Sequence, residues 1–348
     1  MYCPKSSLKI YISTGERSGA HYAKLISKEI LQKYPNAKFV GSLNDENGEL
    51  APVGFAGGGK AAVTVFDRIK AIERDVRRQG PNVFLAVAWS EPNIMLGMRL
   101  RNIKTMKRLF FAPPQLWAWG QFRKSLLKRG YDELLCLYPR EVRFLLSLGL
   151  PARFRGNPLV GYLAPYFKTA VQAGENRLIA IMPGSRAVEK KRNYRLLKDF
   201  SSLWKKNYPT DRIVWIFMQA DEAKRFPDCS GEKISGQERY EILSKANLAI
   251  VNSGTASLEV ALIGTPQIVF YTMPAVEVFL AKVLSKVKYF ALPNIILNAD
   301  RVSEFLNPTV KYLFESGCKV IDEQKSAVEL AEILRRELRV QGDSVGFL

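Results

Sequence analysis

Histidine is almost absent from this chain: His21 stands alone among 348 residues. That scarcity excludes His-rich metal sites and any triad with histidines to spare. Cysteine is thin as well. Cys3, Cys136, Cys229 and Cys318 are scattered and show no CxxC spacing, which argues against both a zinc site and a disulfide framework. No apolar run reaches the length of a membrane-spanning helix. The opening MYCPKSSLKIYIS runs into a strand pattern without the features of a signal peptide, so the chain is expected in the cytoplasm. Acidic residues are in deficit too: 33 Asp and Glu face 52 Lys and Arg, a formal charge of +19.

Such an excess of positive charge points to an anionic partner. Nucleic acid, an anionic membrane surface and phosphorylated substrates all qualify, and a plain solubilising basic surface is the bland alternative. No RNA-recognition or paired Cys/His motif is present, so nucleic acid is not expected. What the chain does have is a globular composition, 47% apolar and 24% charged, at a length suited to two domains.

Strand and helix patterns alternate. LKIYISTGERSGAHYAKLISKEILQKY reads as strand, Gly-containing turn and helix. AKFVGSL, NVFLAVAW, MKRLFFA and ELLCLYP read as further strands, with helical PNIMLGMRLRNI, RKSLLKRG and REVRFLLSLG between them. The second half repeats the rhythm: RLIAIMPGSR, RIVWIFMQA, NLAIVNSG and PQIVFYTM as strands, RNYRLLKDFSSLWKKN, RYEILSKA and TASLEVALIG as helices, then helical AVEVFLAKVLSKV and SAVELAEILRREL. Alternation of this kind implies parallel sheets wrapped by helices, with a boundary near the polar stretch Pro165 to Asn176. Two doubly wound domains facing a cleft is the economical architecture. Ligands in such sheets sit beyond the carboxyl ends of strands, which singles out the turns Gly15 to His21, Pro183 to Arg186 and Ser253 to Ser257.

In IMPGSRAVE, Gly184 and Ser185 can offer backbone N–H groups and Arg186 a bidentate donor for phosphate. In NSGTASLEVAL, Ser253, Thr255 and Ser257 suit a helix start, which favours an anion. Glu259, one turn inside, can accept hydrogen bonds from a ribose. Each turn alone is also readable as an ordinary capped helix with a surface Arg or a dipole-facing acid. Together they suggest a site for a nucleotide diphosphate.

The order of these motifs resembles the lipid-A-disaccharide synthase family, inverting glycosyltransferases of the GT-B fold. PPQLWAWGQFRKSLLK resembles the family's SPSVWAWRxxRIKKI, IAIMPGSRAVE its iaLLPGSRxxEi, NSGTASLEVALIGTPQIVFY its ASGTATLEamLxxxPMVVxY, and YFALPNIIL its YvSLPNxla. The resemblance covers most of the chain and is best from about Leu109 to Asn298. It implies two Rossmann-like domains facing an interdomain cleft: residues 1–163 binding the acceptor, and residues 164–348 binding the UDP-sugar, with the C-terminal helix packing back toward the first domain. It implies transfer of 2,3-diacylglucosamine from its UDP form to 2,3-diacylglucosamine 1-phosphate (lipid X). The UDP-sugar is then a substrate, and no metal or cofactor is expected. Gly184, Ser185 and Arg186 would lie near the diphosphate, Ser253, Gly254, Thr255, Ser257 and Glu259 around phosphate and ribose, and Asn294 at the donor end of the cleft. Acylated substrates imply a peripheral enzyme at the cytoplasmic face of the inner membrane, with an anionic lipid surface as partner. AVEVFLAKVLSKVKYFAL, carrying Lys282 and Lys286, has the mix expected of an interfacial helix. Ser18, Gly19, Trp117 and Trp119 would lie on the acceptor side. A homodimer is left open.

The departures cluster in the first half. Where the family reads GEASGDxLGA this chain has GERSGAHYA, with Ala20 at the Asp. Where the family reads GIDxPDFN it has AVAWSEPNIM, with Ala88 at the acid widely regarded as catalytic. Asn157 replaces the His of GHPL. Inverting transfer needs a base for the acceptor hydroxyl. His21 and Glu91 are the remaining candidates, with Glu16 orienting His21 or binding an acceptor hydroxyl. An imidazole ordinarily ionises near neutral pH, and other GT-B transferases carry a His in a comparable turn.

Overall fold

A computed structural model describes residues 8–41, 59–118, 120–169, 176–224, 226, 229, 231–274 and 288–339. The chain divides into two compact units, Met1–Leu159 with Leu338–Leu348, and Val160–Glu337. Each holds a six-stranded sheet, and every strand pair is parallel.

In the first unit the strands are β1 (Lys9–Ser13), β2 (Lys38–Gly41), β3 (Val83–Val87), β4 (Lys107–Phe111), β5 (Glu133–Cys136) and β6 (Ala152–Phe154), in the order β2-β1-β3-β4-β5-β6. Helices α1 (Arg17–Lys33), α2 (Gly59–Gln79), α3 (Ser90–Leu100), α4 (Lys124–Gly130) and α5 (Pro139–Ser147) connect them. A parallel sheet is covered on both faces, so its central strands are apolar throughout. β3, VFLAV, is buried at every position. α2 presents Ile69, Ile72 and Val76 to the core at helical spacing. This helix is absent from the elements expected above, because its charged residues mask a stripe only three or four residues apart.

α6 (Pro158–Leu163) spans the boundary, and in the second unit the chain then runs through β7 (Leu178–Met182), α7 (Ala187–Asn207), β8 (Arg212–Phe217), α8 (Ala220–Lys224), β9 (Glu232–Ser235), α9 (Glu238–Lys245), β10 (Leu248–Asn252), α10 (Thr255–Ile263) and β11 (Gln267–Tyr271). It ends with α11 (Leu292–Leu297), β12 (Ser303–Leu306), α12 (Val310–Ile321) and α13 (Gln324–Leu338). The sheet order is β12-β11-β10-β7-β8-β9. The edge strands β9 and β12 are half-exposed and short, which is why the sequence gives them no apolar run. α10 is the opposite case, buried from Ser257 to Ile263 on all sides. In α13, Arg335 donates to the Leu262 and Ile263 carbonyls and stacks on Phe167. Its last residue, Leu338, groups with the first unit and accepts the Asn157 N–H at 3.0 Å.

Both sheets contain a place where neighbouring strands send their connections in opposite directions, and crevices open there at the carboxyl ends. In the first unit this lies between β1 and β3, in the second between β7 and β10. The turns singled out from the sequence follow β1, β7 and β10. The strand expected over NVFLAVAW stops at Val87: Ala88 (φ 51°) and Trp89 (φ 50°) turn left-handed, and α3 starts one residue later. The expected helix AVEVFLAKVLSKV is residues 275–287, outside the described ones, and with it Lys282 and Lys286. Among the described residues no helix is long and apolar enough to cross a membrane.

Candidate active site

In the second unit the Pro183–Arg186 turn leaves β7 with Gly184 at φ 118°, a backbone state that side chains rarely adopt. Glu189, three residues into the following helix, closes the turn. Its Oε2 accepts the N–H groups of Ser185 and Arg186, both at 3.3 Å, and its Oε1 accepts Arg186 Nη1 at 2.5 Å. Two backbone donors and a guanidinium thus converge on one oxyanion.

The neighbouring turn, Asn252 to Thr255, is tied to the first. Asn193 is fully buried on α7. Its Nδ2 donates to Pro183 O at 2.8 Å and to Asn252 Oδ1 at 3.0 Å, while its Oδ1 accepts the Thr272 hydroxyl beyond β11. The Asn252 amide also reaches Glu189 Oε2 at 3.5 Å. On its other side the turn meets the Leu-Pro-Asn segment. Ser253 Oγ donates to Phe290 O at 2.9 Å, and Ser257 Oγ donates to Gly254 O at 2.8 Å and accepts the Leu292 N–H at 3.4 Å. The three motifs that resemble the donor site therefore adjoin within one unit.

Glu259 and Asn294 are more enclosed than their sequence contexts suggest. Glu259 is 6% exposed, with Oε2 3.7 Å from Arg239 Nε. Burial pushes its carboxyl up from the ordinary range, and Arg239 and the Tyr240 hydroxyl pull it back. Tyr162 and Tyr166 pack on the Tyr240 ring. Asn294 is fully buried and spends its amide on the segment after α11, accepting the Arg301 and Val302 N–H groups at 2.8 and 2.9 Å and donating to Val302 O at 2.8 Å.

The first unit is built differently. Glu16 is the residue before α1, with extended backbone, and its carbonyl accepts the Ala20 N–H at 2.8 Å. Ser18 and His21 are half-buried on the first turns of α1, and Gly19 is buried. The Gly15 backbone lies flat against the Trp89 indole: a Cβ on Gly15 would sit 2.3 Å from the ring. One on Gly19 would sit 2.3 Å from Thr14 Oγ1 and 3.3 Å from the Ala88 methyl. So the turn after β1 and the turn after β3 are packed together. Asn93 holds the second of these, donating to Ala88 O at 2.7 Å and accepting the Ser13 hydroxyl at 2.7 Å. Glu91 has an exposed side chain whose Oε1 pairs with the buried Arg123 at 2.7 Å. Trp117 is half-buried near Tyr138, and Trp119 lies outside the described residues. Beyond β5, Glu141 is buried with one backbone donor, Leu137 N–H at 3.3 Å, and burial pushes its carboxyl up to about 8. Asn157 is buried too, donating to Leu137 O at 3.4 Å and accepting the Leu159 N–H at 3.1 Å.

Sequence reasoning passed over Glu189, Lys190, Asn193 and Asn252. For Glu189 a signal existed, since an acid three residues after a helix start is the mark of a capping box. For Asn193 the signal was weaker: a polar residue on the same helical face, four positions on.

A family model described as lipid-A-disaccharide synthetase matches residues 10–339. Lipid-A-disaccharide synthase of Solibacter usitatus is 27% identical over 319 residues, covering 86% of this chain and 83% of that one. The enzyme of Pseudomonas putida is 25% identical over 358 residues, covering 96% and 95%. Among solved structures, UDP-GlcNAc 2-epimerase from Neisseria meningitidis bound to UDP-GlcNAc superposes with a TM-score of 0.61 at 13% identity, covering 93% of this chain and 94% of that one. MurG of Acinetobacter baumannii superposes with a TM-score of 0.53 at 13% identity, covering 96% of each chain. These structural likenesses establish a GT-B-like fold.

Proposed function

The chain belongs to the lipid-A-disaccharide synthetase family, glycosyltransferases of lipid A biosynthesis, and from that premise we propose that it transfers 2,3-diacylglucosamine from its UDP form to lipid X, releasing UDP and the disaccharide 1-phosphate. The observation that carries the donor half is the convergence of the Ser185 and Arg186 N–H groups and the Arg186 guanidinium on one carboxylate, beside the β7/β10 crevice. A diphosphate oxygen asks for the same donors.

In the reaction, an acceptor hydroxyl oxygen bonds to the anomeric carbon as the bond from that carbon to the UDP oxygen breaks. Negative charge grows on the leaving diphosphate, where Arg186 and the two N–H groups stabilise it. Ser253, Gly254 and Thr255 carry the second phosphate-facing turn, and Glu259 accepts from the ribose. Asn294 acts behind them by shaping the segment next to Ser257. The acceptor proton passes to His21, which stands on the first turns of the helix after β1. Glu91 is the other candidate, and its carboxylate is engaged by Arg123 Nη1 at 2.7 Å. The +19 charge and the acylated substrates support action at the cytoplasmic face of the inner membrane.

The test is direct. UDP should raise the melting temperature of the purified chain, and UDP-diacylglucosamine with lipid X should yield disaccharide. His21→Ala should lose turnover while keeping the UDP shift. No UDP shift, together with Glu259→Ala behaving as wild type, would sink the donor assignment. Ala20 and Ala88 in place of the family acids favour a second reading, a related UDP-sugar transferase with another acceptor. Turnover with other acceptors but not with lipid X would select it.

A further inference from the structure

Behind the Pro183–Arg186 turn lies a buried ion pair that neither the motif nor the reaction accounts for. Lys190 on α7 is 4% exposed and Glu222 on α8 is 5% exposed. Lys190 Nζ donates to Glu222 Oε1 and, at 3.1 Å, to Ser185 O. Glu222 Oε2 accepts the N–H groups of Met218 and Gln219, at 3.2 and 3.4 Å, where β8 ends. Removing two charges from water is expensive, and a buried pair is a poor route to stability. This one joins the Ser185 peptide carbonyl to the end of β8.

The peptide joining Ser185 and Arg186 is planar and trans, so its C=O and N–H point in opposite directions. Lys190 pins the C=O on the inner side. The Arg186 N–H must then point outward, where it meets the Ser185 N–H at one carboxylate oxygen of Glu189. Glu222 in turn fixes Lys190 to the end of β8, a strand hydrogen-bonded to β7. The direction of the outward donor is therefore set from below, by groups that solvent does not reach.

We propose that Lys190, held by Glu222, is the positioning residue that orients the Ser185–Arg186 peptide toward the diphosphate of the UDP-sugar. The inference rests on the donor-site reading above and adds the device that keeps that site in its receiving form. Lys190 touches no substrate; it acts through the peptide.

The test compares UDP with uridine, which lacks the phosphates. Lys190→Met alone leaves Glu222 buried without its partner and can unfold the unit. The double variant Lys190→Met/Glu222→Gln removes both charges and keeps an acceptor for the β8 N–H groups. Its Kd for UDP, by calorimetry, should rise about tenfold, the size of one lost charge-assisted hydrogen bond. Its Kd for uridine should stay within twofold of wild type. In turnover the KM for the UDP-sugar should rise by more than kcat falls. A folded double variant that binds UDP as wild type does, or that loses uridine and UDP equally, overturns the inference and leaves the donor site standing. A wild-type chain that binds no UDP overturns both.

Discussion

The two sheets place their turns by the same topological rule and hold them with different shares of hydrogen bonding and packing. In the second unit, three consecutive contacts along α7, from Glu189, Lys190 and Asn193, tie the ends of β7, β8 and β10 and the residue after β11 by hydrogen bonds. In the first unit, the ends of β1 and β3 share one buried amide, Asn93, and otherwise meet by contact between a glycine backbone and an indole, with Ala88, Trp89 and Ala112 all left-handed, at φ 51°, 50° and 52°. Non-glycine residues in that region carry strain that surrounding structure must overcome. A hydrogen-bonded site suits a ligand whose charge and geometry are constant, such as a diphosphate. A site shaped largely by packing can change its acids without losing its form, and the first unit is where Ala20 and Ala88 stand at positions for which the resemblance leads one to expect carboxylates.

The largest effect should come from breaking the packed side. Gly15→Val places carbon inside the Trp89 ring position, since even one Cβ would lie 2.3 Å away. Overpacking of this kind costs about 3 kcal/mol or more. Disaccharide formation should vanish while UDP binding by calorimetry survives. Loss of UDP binding as well would show that the two sides are not independent.

A smaller effect, and one that depends on pH, belongs to Glu141. Its folded-state carboxyl lies at about 8, raised from 4.5 by burial, with Leu137 N–H opposing and Cys136 and Tyr138 as titratable neighbours. Between those values the folded chain holds a proton that the unfolded chain has released. The stabilising contribution is full below about 4.5 and is lost as pH rises to about 8, at a slope of up to about 1.4 kcal/mol per pH unit. Glu141→Gln should flatten that part of the curve of melting temperature against pH and stabilise the chain above pH 8. A curve that keeps the wild-type slope would remove Glu141 from the account.

On the hydrogen-bonded side, Asn193→Leu strands the Asn252 carbonyl and Pro183 O. Leaving buried polar atoms unmatched costs about 2 kcal/mol. UDP affinity should fall with it, measured by the thermal shift, while the stability of the first unit stays as it was. An Asn193→Leu chain with wild-type UDP affinity would mean that the strand-end network is structural and not part of donor binding.

Much of this was legible in the residues. Glycine and small polar residues after apolar runs marked the turns following β1, β7 and β10, and the alternation of runs implied two parallel sheets. The helix over 59–79 was not legible, because its apolar stripe is interrupted by nine Lys, Arg, Asp and Glu residues. Nor were β9 and β12, short edge strands whose pairing comes from a neighbour and not from their own pattern.

The sequence by itself determined where the chain turns and what those turns offer, because backbone preferences and donor groups are local properties. It also determined the +19 charge and the family, which rest on residue identity alone. Only the tertiary structure decided which groups are spent and which are presented. Glu259 and Asn294 look alike as polar residues near a helix start, yet one faces Arg239 and aromatic rings and the other holds a backbone segment. Lys190 reads as one of many surface lysines until folding buries it against Glu222 and Ser185. Burial and partner choice depend on residues distant in the chain, and no local pattern carries that information.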